Sequence, residues 1–263
     1  MSNPLPISVA IIAKNEEKNL KRLLPDIQDF AEEIVLVYND CEDETVKVAQ
    51  EYGVCCYEEA WRGYKEQKNL ALLKCSKEWI LCLDADEVLS DKLKESIRNF
   101  LSSDKLDSYN GASCNRCSFF MNRWIRHGDW YPDKKCRLLK SSAGSWSGGQ
   151  LHEYLDINGK VFHLSGDLLH YSYDSILDFP QKMSVYANAF VEQNLKCRTR
   201  VSSFDLWVRP IWRFFRAFVL RLGFMDGLPG FIISISNTYE CMLKYNLLKE
   251  KLNKIISNKM DKS

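Results

Sequence analysis

Trp79-Ile-Leu-Cys-Leu83 is an apolar run with no polar stripe, and two carboxylates, Asp84 and Asp86, follow it at once. Such a run suits a strand buried on both faces of a parallel sheet. It carries the acids to the carboxyl edge, where open α/β sheets bind ligands. An Asp-x-Asp pair there offers hard oxygens to Mg²⁺ or Mn²⁺ bearing a diphosphate, and the same pair is also a common helix cap. On the motif alone both readings stand.

The chain before it repeats one pattern. Ile7–Ala13, Glu33–Tyr38 and Val54–Tyr57 are further apolar runs, and helical periodicity follows each: Leu20, Leu23 and Leu24; then Val46, Val48 and Ala49, stopped by Gly53; then Lys65 to Lys74, presenting Leu70, Ala71 and Leu73. Strand and helix alternate four times, which predicts a parallel α/β sheet of nucleotide-binding type with helices on both faces.

After Asp86 the pattern changes. Ser90 caps a helix to about Leu101, and polar Ser102–Asn110 reads as a seam. Strand-like pieces follow at Ala112–Met121, Lys135–Leu139 and Lys160–Tyr171, separated by aromatic and glycine-rich loops, Gly128–Pro132 and Gly144–Gly149. Loops of that composition suit a sugar or acceptor platform, and equally plain packing. Residues 175–195 read as a helix, as do Phe204–Leu222 and Phe231–Tyr245, with a break at Gly227–Gly230 and a frayed tail from Lys249. The expected divisions are 1–105, a nucleotide-binding half; 106–174, a second half; and 175–263, a helical extension.

Charge is uneven along the chain. Residues 1–100 hold 13 Lys/Arg against 20 Asp/Glu, and residues 101–263 hold 23 against 15. A basic C-terminal part points to phosphates or an anionic membrane. In Phe204–Leu222, Arg209, Arg213 and Arg216 recur at helical spacing beside Trp207, Ile211, Trp212 and Phe215, which suits a helix lying in the headgroup plane or one docked on the rest of the protein. No run of about 18 apolar residues exists to span a bilayer. Ten scattered cysteines read as reduced and the compartment as cytoplasmic, and with the basic helix the expected location is peripheral, on the cytoplasmic face of the inner membrane. Cys114-x-x-Cys117 lacks a second ligand pair for zinc. Nothing in the pattern calls for a nucleic-acid partner.

Ile7–Asn15, Asp43-x-Thr45, Trp61-x-Gly63 with Glu66-Gln-Lys-Asn69, and Leu83-Asp-Ala-Asp-Glu87 together resemble the inverting family 2 glycosyltransferases of the GT-A fold. Trp124–His127, Trp130-Tyr-Pro132, Gly149-x-x-His152-Glu153, His170-Tyr-Ser172 and Arg209-Pro-Ile-Trp-Arg-Phe214 are similar to blocks of the branch that adds hexose, often β-linked glucose, to the inner core of lipopolysaccharide. The likeness spans nearly the whole chain.

The resemblance implies a GT-A sheet followed by a mostly helical extension, a nucleotide-sugar donor, usually UDP-linked, and a glycolipid or oligosaccharide acceptor. It implies a divalent metal on Asp86, with Asp84 at the ribose or positioning the metal. Inversion needs one carboxylate base, and Glu153 matches the family's acid. His152 then orients Glu153, touches the diphosphate or merely packs. Lys68 stands where the family places a basic residue near the donor, and Lys135, Arg137 and Arg126 are candidates for the diphosphate or a phosphorylated acceptor. One departure concerns the base: the family's Asp after the second strand is Tyr38 here. A tyrosine stacks on a base but does not accept from its imide as a carboxylate does, which makes Asn39 and Asp40 the candidates for that contact.

Two other readings compete. Asp84-Ala-Asp86-Glu-Val88 also fits the Asp-x-Asp-x-Val pattern of haloacid-dehalogenase-like phosphatases, but it ends the fourth strand rather than the first and lacks the downstream lysine and acid pair. A membrane-associated scaffold that has lost catalysis is the second, and joint retention of Asp84, Asp86 and Glu153 argues against it.

Overall fold

The computed structural model describes residues 3–149, 152–173 and 178–260. Alternating strands and helices open the chain: β1 (Leu5–Ala13), α1 (Glu17–Ile27), β2 (Ala31–Tyr38), α2 (Thr45–Glu51), β3 (Cys55–Glu58), α3 (Tyr64–Lys74) and β4 (Trp79–Asp84). β1 pairs in parallel with β2 and β4, and β2 with β3. Parallel neighbours cannot be joined by a tight turn, and the three helices supply the crossovers.

The rest of the sheet mixes directions. β5 (Glu87–Leu89) and α4 (Asp91–Leu101) precede β6 (Gly111–Phe120), β7 (Arg123–Trp124), β8 (Asp133–Lys140), the hairpin of β9 (Gly144–Gly149) and β10 (His152–Ile157), and β11 (Val161–His170). The order is β3-β2-β1-β4-β8-β6-β11-β5, with β7 beside β6, and β8 is antiparallel to both β4 and β6. This is the expected GT-A type of α/β sheet.

Period-two alternation builds a core on each face. Ile7, Val9 and Ile11 of β1 join Leu20, Leu24, Val48, Leu93 and Ile97 from α1, α2 and α4. Ala10, Val37, Ile80 and Cys82 face the other way, onto Ala71 of α3 and onto Trp146 and Leu155 of the hairpin.

By packing, the chain forms two units, Met1–Cys117 with Asp133–Tyr171, and Ser118–Pro132 with Ser172–Ser263. The second holds α5 (Asp178–Asn194), a helix from Phe204 to Leu220 whose middle, α6 (Arg209–Phe215), is flanked by π-wound turns, and α7 (Gly227–Met260). Buried Asp226 accepts from the backbone N–H groups of Arg126 (3.0 Å) and His127 (2.8 Å), tying the 118–132 excursion into this unit.

Four expectations are corrected. α3 turns Gln67, Lys68 and Ala71 inward and leaves Leu73 exposed, because it faces a polar sheet edge. Gly144–Gly149 is a strand rather than a loop, and its Trp146 is buried packing rather than a platform. The helix break runs from Leu222, with a left-handed φ of 57°, to Gly227, with φ 64°, rather than across Gly227–Gly230; a Cβ on Gly230 would lie 1.9 Å from the Gly223 carbonyl, so glycine there serves close approach. The tail from Lys249 stays helical to Met260.

Ser90 Oγ accepts from Leu93 N (3.3 Å) and Asp167 N (3.0 Å), fixing the start of α4 against β11 beside Gly166. Gly166 has φ 93°, and an added Cβ would meet Leu93 N at 2.5 Å. Gly166→Ala should therefore lower unfolding free energy by more than about 1 kcal/mol in a urea titration, beyond what an ordinary glycine replacement does.

Candidate active site

The turn after β4 closes on itself. Asp84 N donates to Glu87 Oε2 (3.0 Å), and Tyr171 N donates to the Asp86 carbonyl (2.9 Å), so the acid segment is held between β4 and the end of β11. Glu87 is fully buried, which is tolerable because Arg137 of β8 donates to its Oε1 at 2.7 Å. The same guanidinium nitrogen lies 2.7 Å from Asp84 Oδ2.

Lys68 of α3 completes the lattice. Its Nζ lies 2.7 Å from Asp84 Oδ1 and 3.1 Å from Glu153 Oε1 on the hairpin, so one buried ammonium joins the strand-end acid to the candidate base. Trp146 lies beneath both cations, its ring centre 4.3 Å from Lys68 Nζ and 5.5 Å from the Arg137 guanidinium. Asn69 and Trp146 exchange side-chain and backbone hydrogen bonds (3.0 and 2.8 Å), and this pair docks the hairpin on α3. The adjacent Gln67, Lys68 and Asn69 thus each have a separate structural use; Gln67 donates to the Glu59 carbonyl.

Burial by itself would raise the Asp84 carboxyl, but the Arg137 and Lys68 charges outweigh it and hold the group well below the usual carboxylate range. Burial likewise works against the Lys68 ammonium, and Asp84 and Glu153 reverse that, leaving it raised. Cys82 in β4 is a bystander, since burial pushes its thiol up to about 12.

Asp86 points to a different partner, His170, whose Nε2 lies 3.2 Å from Asp86 Oδ2. Burial raises the Asp86 carboxyl and the His170 hydrogen bond more than offsets it, so the group is lowered. Among the described residues no group of three His, Cys, Asp or Glu side chains is arranged to hold a metal. Among the described residues Asp86 and His170 stand together as donors, and His170 Nδ1 is a buried nitrogen with no hydrogen-bond partner among them. A hard oxygen beside an imidazole fits Mg²⁺ or Mn²⁺ that keeps its remaining positions for phosphate oxygens and water. Asp84, Asp86, Glu87 and Glu153 set four carboxylates against Lys68, Arg137 and, 3.8 Å from Glu87, Arg116.

Beyond the carboxyl ends of β1 and β2 lies a cavity of about 370 Å³. Asn39 and Asp40 line it with Lys14, and Trp61, Tyr64 and Gln67 line its other side. Trp61 and Tyr64 meet edge to face with ring centres 4.9 Å apart, and about half of each is exposed. Tyr38, where the family has Asp, is not among the lining residues; its two followers are.

Of the residues expected at the site, Lys68, Asp84, Arg137 and Glu153 form one hydrogen-bonded lattice, Asp86 stands two residues from it, and Asn39 and Asp40 line the cavity. His152 pairs its backbone with Gly149, and its side chain lies outside the described residues. Lys135 pairs with Asp133 instead of joining the lattice (3.2 Å), and Arg126 belongs to the other unit. Glu87, Trp146 and His170 are additions. Glu87 and His170 lay in recognised blocks without being singled out, and Trp146 did not; nothing local marks a glutamate after Asp-x-Asp as buried.

The glycosyl transferase family 2 model matches residues 8–155, more than half the chain, and the chain belongs to that family. It is a glycosyltransferase. An uncharacterized glycosyltransferase of Rickettsia typhi is 30% identical over 257 residues, covering 93% of this chain and 87% of the relative. The lipopolysaccharide core biosynthesis glycosyltransferase LpsC of Rhizobium meliloti is 27% identical over 246 residues, covering 91% and 90%. Among solved structures, S. aureus TarS 1-349 in complex with UDP-GlcNAc aligns over 93% of each chain at 14% identity with a TM-score of 0.48, a likeness too loose to carry weight. Family membership sets aside the phosphatase reading.

Two measurements follow from the lattice. Arg137→Met strands a buried carboxylate at Glu87, whose other cation, Arg116, is 3.8 Å away, and should cost about 3–5 kcal/mol in urea unfolding. Asp84, lower in the folded than in the unfolded protein, contributes stability that is complete above about pH 4 and lost as pH falls further. The stability gap between wild type and Asp84→Asn should narrow from pH 5 to pH 3; a constant gap contradicts the assignment.

Proposed function

We propose that the protein transfers a hexose, glucose in the first instance, from a UDP-linked donor to a lipopolysaccharide or lipooligosaccharide core acceptor by metal-assisted single displacement with inversion. The observation that carries the reading is Lys68, whose ammonium bridges Asp84 and Glu153 and thereby sets a base beside the donor-binding strand end. Similarity to the Rhizobium meliloti enzyme, named for lipopolysaccharide core biosynthesis, supports the acceptor class.

Each step falls to a named group. Glu153 is oriented by Lys68 through Oε1, and Oε2, which has no partner among the described residues, takes the proton of the acceptor hydroxyl. As that oxygen bonds to the anomeric carbon, the bond to the diphosphate breaks on the opposite face and the diphosphate leaves with the electron pair. Arg137 and Lys68 fix Asp84 against movement, ready to accept from the donor ribose. Asp86 and His170 would hold the divalent cation, which when bound supplies Lewis-acid relief of the leaving charge. The uracil would occupy the cavity of Asn39 and Asp40, against Trp61 and Tyr64. Work at the cytoplasmic face of a membrane is consistent with ten cysteines of which none forms a disulfide.

Incubating purified protein with a panel of sugar nucleotides and Mn²⁺ tests the reading; slow hydrolysis or thermal stabilisation should single out a UDP-hexose, and indifference to every sugar nucleotide would refute it. Glu153→Gln should keep donor binding and lose about 10²–10⁴ in turnover, whereas Asp86→Asn should lose Mn²⁺-dependent UDP binding in calorimetry. Trp61→Ala should weaken UDP binding by about 1–3 kcal/mol if the base stacks there.

A further inference from the structure

The helical unit presents an apolar surface that its own packing does not cover. On the helix Phe204–Leu220, Trp207, Ile211 and Phe215 form one row at four-residue spacing, and Phe204, Val208 and Trp212 form the row beside it. All are exposed, Trp207 at 65% and Ile211 at 68%. The opposite side of this helix buries Asp205, Pro210 and Ala217. On α7, Leu228, Phe231, Ile235 and Tyr239 continue the surface at spacings of three and four residues. The stripes are joined, because the Phe231 ring packs on those of Phe214 (6.3 Å) and Phe218 (5.6 Å). Monomeric soluble proteins rarely leave so large an apolar area open.

The charges flanking this surface say what covers it. Arg213, Arg216 and Arg221 converge on one carboxylate, Asp129: Arg216 donates to both its oxygens at 2.9 Å, Arg221 lies at 3.3 Å and Arg213 at 3.8 Å. Three guanidiniums on one carboxylate leave two positive charges uncompensated. All three arginine side chains remain partly open to solvent, at 36%, 40% and 48%. Aromatic side chains beside under-neutralised arginines are complementary to an interface that is apolar below and phosphate-rich above. A second copy of the chain would bring the same positive cluster against itself, which the charge disfavours.

We infer that this face docks in the plane of an anionic bilayer, with Trp207, Ile211 and Trp212 in the acyl boundary and the Arg213–Arg216–Arg221 cluster on lipid phosphates. The surface lies on the membrane and does not cross it. No single helix among the described residues is long and apolar enough to span, and the two helices that pass together are bent by 68°. The inference is independent of the transfer chemistry.

The test is sedimentation of the full chain with phosphatidylcholine vesicles and with vesicles containing phosphatidylglycerol. Wild type should bind the anionic vesicles more strongly and come off in an alkaline carbonate wash. The double variant Trp207→Ser, Ile211→Ser should lose binding to both, with Leu228→Ser as an independent check on α7. Arg221→Gln should weaken binding to anionic vesicles by about fivefold and leave neutral binding unchanged. All should keep the wild-type melting temperature and sugar-nucleotide hydrolysis, so that failure here is distinct from failure of the enzymatic reading. Any of four results overturns the inference: no wild-type binding, unchanged binding of the double variant, resistance to the wash, or a wild-type dimer that Trp207→Ser, Ile211→Ser makes monomeric.

Discussion

Lys68 is the contact on which the candidate site depends. Its ammonium, buried between the Asp84 and Glu153 carboxylates and over Trp146, joins three elements that are remote in sequence: α3, the end of β4 and the β9–β10 hairpin. A buried ion lattice is a poor source of stability, because the desolvation of each charge consumes most of the Coulomb gain. What it supplies is geometry. Once Arg137 has tied Asp84 to fully buried Glu87, the acids can shift only by leaving a charge unpaired in a dry interior. The candidate base and the donor-side acid therefore occupy fixed positions before any substrate arrives, which is the condition for electrostatic preorganisation.

The same lattice separates the roles of the two aspartates. Asp84 is spoken for by two cations, and Asp86 turns to His170. Two residues apart at a strand end, they sit in different charge environments, one locked to the protein and one beside an imidazole with an unused buried nitrogen.

Most of the sheet was legible in the chain. The runs at Ile7, Glu33 and Trp79 are read from their unbroken apolar character, since strands covered on both faces have no polar stripe to confuse them, whereas the Val54 run forms β3, a partly exposed edge strand. Where reading failed, a tertiary contact had replaced the local rule. Leu73 looked inward by composition, yet α3 rotates to bury Lys68 because two carboxylates wait for it. Gly144–Gly149 looked like a loop, yet it pairs with β10 and closes over α3 through Asn69 and Trp146. Gly230 looked like part of a break, yet it allows α7 to run against Gly223, while Gly227 takes a left-handed φ of 64° where the helix starts. The acids Asp84, Asp86 and Glu153 were recognisable from their blocks; Glu87 and the Asp86–His170 pairing needed coordinates. Arg213 and Arg216 have a second use that spacing did not show, their convergence on Asp129, while Arg209 pairs with Asp205.

In the proposed reaction Glu153 is the single carboxylate base and Asp84, held by two cations, is denied a nucleophile's role, so transfer would proceed by one displacement at the anomeric carbon. The most direct measurement is real-time proton NMR of the sugar released when the protein slowly hydrolyses an α-linked UDP-hexose in the presence of Mn²⁺. Inversion predicts that the β-anomer appears first and only later mutarotates. Initial release of the α-anomer would mean a covalent intermediate or another attacking face, and would contradict the assignment of Glu153 and the lattice that positions it.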